Sequence, residues 1–170
     1  MGELVLKDVK FRFIEIYSKE YEKIKIMRYE ALFKDCKTNH YHEAADIEYD
    51  KKSMHFAGYD GNNLVAYCRL TLEGDIGKIS RVFVSKKYLK QGFGKQLINN
   101  LIDRCLDMEI KKLELNSRES SLKFYEKLGF YRSGELIVSK ESMLTLIPMV
   151  REVSRYTVVE KGINTEKTMV

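Results

Sequence analysis

The 170-residue chain contains no tryptophan, one proline, three cysteines and three histidines. So little proline, with only ten glycines, argues against long disordered linkers. Cys36, Cys68 and Cys105 are odd in number and widely spaced, which suits buried reduced thiols rather than a disulfide framework. No apolar run is long enough to span a bilayer, and Met1-Gly2-Glu3-Leu4 carries no basic segment leading into a hydrophobic signal core. A cytoplasmic protein with no membrane contact is expected. Cys36, His40 and His42 have no fourth ligand at a recognised spacing, so no metal site is expected. The net charge of +5 suits recruitment of an anionic cofactor and does not point to nucleic acid.

What the chain does have is an ordinary globular composition, 44% hydrophobic and 32% charged, at a length that buries one full core. Val9, Phe11 and Phe13 alternate as in a half-buried strand. Over 18–36, Tyr21, Ile24, Met27 and Ala31 recur at helical spacing and define an apolar stripe. Residues 37–52 read as polar and irregular. A hairpin is expected at 54–72 around Asp60-Gly61-Asn62-Asn63, then a strand over 78–84. Leu97, Ile98, Leu101, Ile102 and Cys105 mark one face of an amphipathic helix ending near Asp107. A strand over 112–116, a helix over 120–128 stopped by Gly129, and strands over 134–139 and 144–150 follow. Pro148 lacks an N–H, which suggests an edge or a bulge there.

The most informative stretch is I-S-R-V-F-V-S-K-K-Y-L-K-Q-G-F-G, Ile79 to Gly94. A β-type run (Val82, Phe83, Val84) passes through a lysine-rich turn into two glycines, and a helical pattern begins at once. Glycine permits backbone angles that turn amide N–H groups toward an anion. The helix start adds unpaired N–H groups and the positive end of its dipole. Strand, glycine turn and helix together make a phosphate cradle. The bland alternatives are a plain strand-to-helix turn at Gly92 and Gly94, and a solvated turn at Lys86, Lys87 and Lys90.

Joined to F-Y-E-K-L-G-F (Phe124 to Phe130), the segment Val84 to Gly94 resembles the GNAT superfamily of acyl-CoA-dependent N-acyltransferases. That family's pyrophosphate loop is usually written Q/R-x-x-G-x-G/A. Leu89 stands where the Gln or Arg is usual, leaving Lys90, Gln91 or Lys95 to substitute. The resemblance implies an α+β fold, a central mixed and mostly antiparallel sheet flanked by helices. It implies acetyl-CoA as acyl donor, lying between splayed strands and paired with backbone groups of Val82 and Val84. The implied binding set is Val82, Phe83, Val84, Leu89, Lys90, Gln91, Gly92, Phe93, Gly94, Lys95, Asn116, Ser121 and Tyr125. A strand N–H near Phe83 or Val84 would polarise the acetyl carbonyl. Tyr125 matches the tyrosine that protonates the departing thiolate; its bland alternative is a core aromatic.

The amino-terminal half resembles small ElaA-like bacterial acetyltransferases through Arg28, Phe33, the acidic stretch from Glu43 to Asp50, His55, V-A-Y-C-R-L and I-S-R-V-F-V. Acyl-homoserine-lactone synthases show a similar arrangement, but this chain lacks the tryptophan usual in their amino-terminal half. Arg28 and Arg69 either make structural ion pairs or touch an acidic acceptor. For the base that deprotonates the acceptor amine, Glu73, Glu48, Asp46, His55 and a water chain are all candidates. The expected acceptor is a small-molecule or peptide amine; the alternative is a non-catalytic acyl-CoA-binding module. Residues 1–150 are expected to form the domain. Residues 151–170 form an extension, in which Tyr156 and Val158 alternate as in an added strand or a homodimer contact.

Overall fold

The computed structural model describes residues 8–36 and 40–154; the extension from residue 155, with Tyr156 and Val158, lies outside them. The chain runs β1 (Lys10–Ile14), α1 (Lys19–Leu32), α2 (Glu43–Lys51), β2 (Met54–Asp60), β3 (Asn63–Glu73), β4 (Ile76–Val84), α3 (Phe93–Asp107), β5 (Lys112–Arg118), α4 (Leu122–Lys127), β6 (Tyr131–Arg132), β7 (Ile137–Val138) and β8 (Thr145–Glu152). The strands form one sheet in the order β1-β2-β3-β4-β5-β8-β6, with β7 also on β8. Every pairing is antiparallel except β4 with β5. This is the mixed α+β architecture expected from the sequence.

Two apolar layers cover the sheet. On one face α3 buries Phe93, Leu97, Ile98, Leu101, Ile102 and Cys105, the stripe its spacing foretold, against Leu70, Ile79, Leu113 and Met149. Fully burying each such aliphatic side chain stabilises the fold by about 1.5–3 kcal/mol. On the other face α1 lays Tyr21 and Ile24 over Ala57, Tyr67 and Phe83. Ser18 starts α1 by accepting the Tyr21 N–H at 3.1 Å. The buried face of α1 is Tyr21, Ile24 and Arg28, so the expected stripe is rotated: Met27 is half-buried and Ala31 is exposed.

The irregular segment expected before β2 is in fact α2. His42 caps it, its Nδ1 accepting the Ala45 N–H at 3.2 Å. Its buried residues are Asp46 and Asp50, one turn apart. An inward face made of carboxylates carries no hydrophobic periodicity, which is why the pattern concealed the helix. The last hairpin also differs. Where one strand was expected over 134–139, β6 and β7 occupy the outer edge of β8 as two short pieces. Ser133 donates its N–H to the Pro148 carbonyl at 2.9 Å, the proline having no N–H to return, and residues 134–136 then bulge opposite Ile147. β8 continues to Glu152, and Val153 packs into the core.

Candidate active site

The site begins where two strands part. β4 and β5 pair only at Ile76↔Lys112, Gly77↔Leu113 and Lys78↔Glu114; beyond those rungs the strands diverge. Between them opens a cleft of about 220 Å³, lined by Val82, Asn116, Ser117, Ser121 and Tyr125 among others. Ser85 donates its N–H to the Val65 carbonyl at 2.8 Å. By strand alternation Phe83 also turns its backbone toward β3, and Val82 and Val84 turn theirs toward the cleft.

A β-bulge shapes the cleft wall. Tyr67 pairs with Phe83 and Arg69 with Ser80, so Cys68 alone faces both Arg81 and Val82. Arg81 takes φ 56°, a left-handed conformation that costs a non-glycine residue about 1–3 kcal/mol. The bulge sends Ile79 and Val82 to the α3 face while Arg81 reaches the α2 face. There its guanidinium meets Asp46 at 3.1 Å and grips both Glu141 oxygens at 3.0 and 2.8 Å.

At the end of β4 a single 3-10 turn, Lys86–Tyr88, leads to the glycines. Gly92 is the N-cap of α3 at φ 83° and offers no side-chain acceptor, so the first amides of the helix face outward unpaired. A Cβ on Gly94 would approach Phe124 Cζ to 3.3 Å and Val84 Cγ2 to 3.5 Å, so the helix start is held tightly against α4 and β4. Lys90, Gln91 and Lys95 are exposed around this turn, Leu89 is about half exposed, and Phe93 is buried beneath it. Gln91 is tied to the loop, donating to the Lys87 carbonyl at 3.0 Å. Phe83 is buried on the α1 side. Eleven of the thirteen expected binding residues fall into two groups, while Phe83 and Val84 line a separate groove beside α1. The cleft gathers Val82, Asn116, Ser121 and Tyr125, and the loop gathers Leu89 to Lys95.

Tyr125 sits on α4 with only 7% exposure, and burial pushes its phenol pKa well above the usual value. The turn after α4 fixes it: Phe130 donates its N–H to the Tyr125 carbonyl at 3.1 Å, and Gly129 at φ 90° allows that reversal. Its hydroxyl makes no hydrogen bond among the described residues, while its ring packs edge-on to Phe124 and Phe130.

The candidate bases lie elsewhere. Glu73 pairs with Lys78 and Glu48 with Lys51 on the surface. Burial alone would raise the Asp46 pKa, but Arg81, Arg28 and Arg69 outweigh it and hold the carboxyl at about 2. His55 is buried, and desolvation lowers its pKa. Its Nε2 donates to the Asp50 carbonyl at 3.0 Å, which leaves Nδ1 to accept from Tyr67 Oη at 2.8 Å. The carboxylate that does line the cleft is Glu141, which sequence pattern did not single out because it lies in a turn without a motif.

Behind Arg81 lies a buried ion cluster. Arg28 makes two hydrogen bonds to Asp50, at 3.0 and 2.7 Å, and meets Asp46 at 3.1 Å. Arg69 reaches Asp46 at 2.7 Å, Asp50 at 2.9 Å and the Ser80 hydroxyl at 3.0 Å. Tyr21 donates to Asp50 at 2.6 Å. Arg28 and Arg69 thus make structural ion pairs, and with Arg81 their three charges balance Asp46, Asp50 and Glu141.

Residues 12–130 match the model of the acetyltransferase (GNAT) family. A candidate acetyltransferase of Bacillus subtilis (strain 168) is 34% identical over 97 residues, spanning 57% of this chain and 63% of its own. Escherichia coli ElaA superposes with a TM-score of 0.71 at 22% identity, over 85% of this chain and all of that one. A GNAT acetyltransferase from Elizabethkingia anophelis, solved with acetyl-CoA bound, superposes with a TM-score of 0.64 at 19% identity, over 85% and 97% of the two chains. At such identities the superpositions speak for the fold. With the family match spanning most of the sheet and both motifs, the chain belongs to the acetyltransferase (GNAT) family.

Proposed function

We propose that this protein transfers an acetyl group from acetyl-CoA directly to an amine. The observation that carries the proposal is the buried phenol of Tyr125 in the cleft where β4 and β5 part, in line with the open amides at Gly92. The backbone of Val82 and Val84 would pair with the pantetheine, as an added strand does. The first amides of α3 would hold the diphosphate, with Lys90 and Lys95 in place of the side chain that Leu89 does not supply. The similar Elizabethkingia protein binds acetyl-CoA in the same fold, which supports the choice of donor.

The amine nitrogen attacks the thioester carbonyl carbon, a C–N bond forms, and the carbonyl electrons move to oxygen. The Val84 N–H, which strand alternation turns toward the cleft, would stabilise that oxyanion; the Phe83 N–H faces β3. Collapse breaks the C–S bond, and Tyr125 gives its proton to sulfur. A free thiol has a reference pKa of about 8.5, below the raised phenol, so the proton moves only as charge develops on sulfur. An alkylammonium, with a reference pKa of about 10.4, must first lose one proton to solvent; the second, shed by nitrogen as the intermediate collapses, passes through water to the Tyr125 phenolate. We place the acceptor at the end of the cleft formed by Phe33, Arg81 and Glu141, where the carboxylate meets the ammonium.

The test is thiol release from acetyl-CoA across a panel of amines, amino acids and peptides, with wild type and Tyr125→Phe. Turnover with at least one amine that falls in the variant supports the proposal. Tight CoA binding with no transfer to any amine would make the chain a binding module instead.

A further inference from the structure

A second cavity, larger than the catalytic cleft, lies beside α1. A groove of about 610 Å³ runs along the upper side of α1, between that helix, the β2–β3 hairpin tip and the turn after β4. Its size falls within the range of small-molecule sites, about 300–1,000 Å³. The two share no lining residue, although they approach each other along α1 and β4: Met27, Ala31, Phe83 and Val84 line the groove, whereas Leu32, Phe33 and Val82 line the cleft. The floor is apolar and partly aromatic, made by Tyr59, Leu64 and Phe83.

The walls are cationic. Lys19 and Lys23 stand one turn apart on α1, Lys86 and Lys87 face them from the loop, and Arg12 comes up from β1. Two carboxylates oppose these five cations. Glu20 answers Arg12 at 3.8 Å, and the four lysines make no ion pair among the described residues. An apolar floor rimmed by unanswered cations selects a ligand that brings both an apolar body and a negative charge.

We propose that this groove is a second ligand site, distinct from the acetyl-transfer cleft, for a small organic anion with an aryl or alkyl body. The head, a carboxylate or phosphate, lies between the lysine walls, and the body covers Phe83 and Leu64. The proposal does not depend on the transfer reaction.

Calorimetric titration with 4-phenylbutyrate tests it, with 4-phenylbutanol as the uncharged match. The carboxylate should bind one to one, and the alcohol at least about tenfold more weakly, the scale of one or two partly screened charge contacts. The double variant Lys19→Glu/Lys23→Glu should lose a similar factor. Both positions are exposed on a helix face, so the fold survives, and circular dichroism checks that it does. Ala31→Arg, which fills the groove from its exposed wall, should abolish binding. Tyr125→Phe and saturating CoA should leave the affinity within about twofold. The proposal is overturned if wild type shows no binding up to about 10 mM. Equal binding of the alcohol, indifference to the lysine reversals, or displacement by CoA would each overturn it as well.

Discussion

The cleft between β4 and β5 and the ion cluster beneath α1 lie on either side of Arg81, yet they treat polar groups in opposite ways. At the cleft, the backbone of Val82 and Val84, the Tyr125 hydroxyl and the first amides of α3 have no partner among the described residues. In the cluster nearly every donor meets an acceptor; among the described residues Arg28 Nε is the buried exception. Unpaired groups at the edge of a sheet invite a ligand, whereas six mutually neutralised charges hold helices in place. Arg81 joins the two regions, its strained backbone in the cleft wall and its guanidinium in the cluster.

The sharpest way to break that contrast is to unbalance the cluster. Asp50→Ala leaves Arg28 and Arg69 short of a carboxylate at a fully buried position and should cost about 3–5 kcal/mol. Urea denaturation reads this directly, and a loss under 1 kcal/mol would mean that the cluster is not what secures α2. On the cleft side, Tyr125→Phe should lower kcat by about 10²-fold or more, close to 3 kcal/mol in the barrier. CoA affinity and the unfolding midpoint should stay put, because the hydroxyl makes no hydrogen bond among the described residues. A variant as fast as wild type across pH removes Tyr125 as the acid.

A smaller effect is expected at the loop. Gly92→Val puts a branched side chain at φ 83°, where nothing crowds the added Cβ but the backbone itself disfavours it. A loss of about tenfold in CoA affinity should follow, with a stability cost of about 1–2 kcal/mol. Unchanged CoA binding would separate the glycine turn from the phosphates.

The mildest effect is on pH. His55 has a pKa depressed below 6.5 by burial, so the unfolded chain takes up its proton first. Its contribution is whole above pH 6.5 and fades as pH falls below that. Asp46, at about 2 against an ordinary 3.8, contributes fully above pH 3.8 and loses that contribution as pH falls toward 2. Urea midpoints should therefore decline slightly from pH 7 to 5 and steeply below 4. A midpoint constant from pH 7 to 5 would contradict the buried, neutral histidine.

The two regions also differed in how much of them could be read in advance. The glycine loop, α3 and the turn at Gly129 are local: each depends on residues a few positions apart, so spacing and composition announce them. The cluster is not local. Arg28, Asp46, Asp50, Arg69 and Arg81 come from α1, α2, β3 and β4. Each alone reads as a surface charge. The resemblance of these positions to ElaA-like proteins marked them as a set without showing that they neutralise one another. Glu141 had no signal, since only the folding of the β7–β8 turn over the cleft brings it to Arg81.

By itself the sequence determined the alternation of strands and helices, the α3 core stripe and the glycine turn that starts α3, because backbone preference and apolar periodicity act over short distances. Tertiary structure alone decided that a polar segment becomes α2, and that Arg81 flips across a bulge. It also made the groove along α1 a pocket rather than a surface. Those outcomes depend on charges and strand registers distant in the chain, which find their partners only once the sheet has closed.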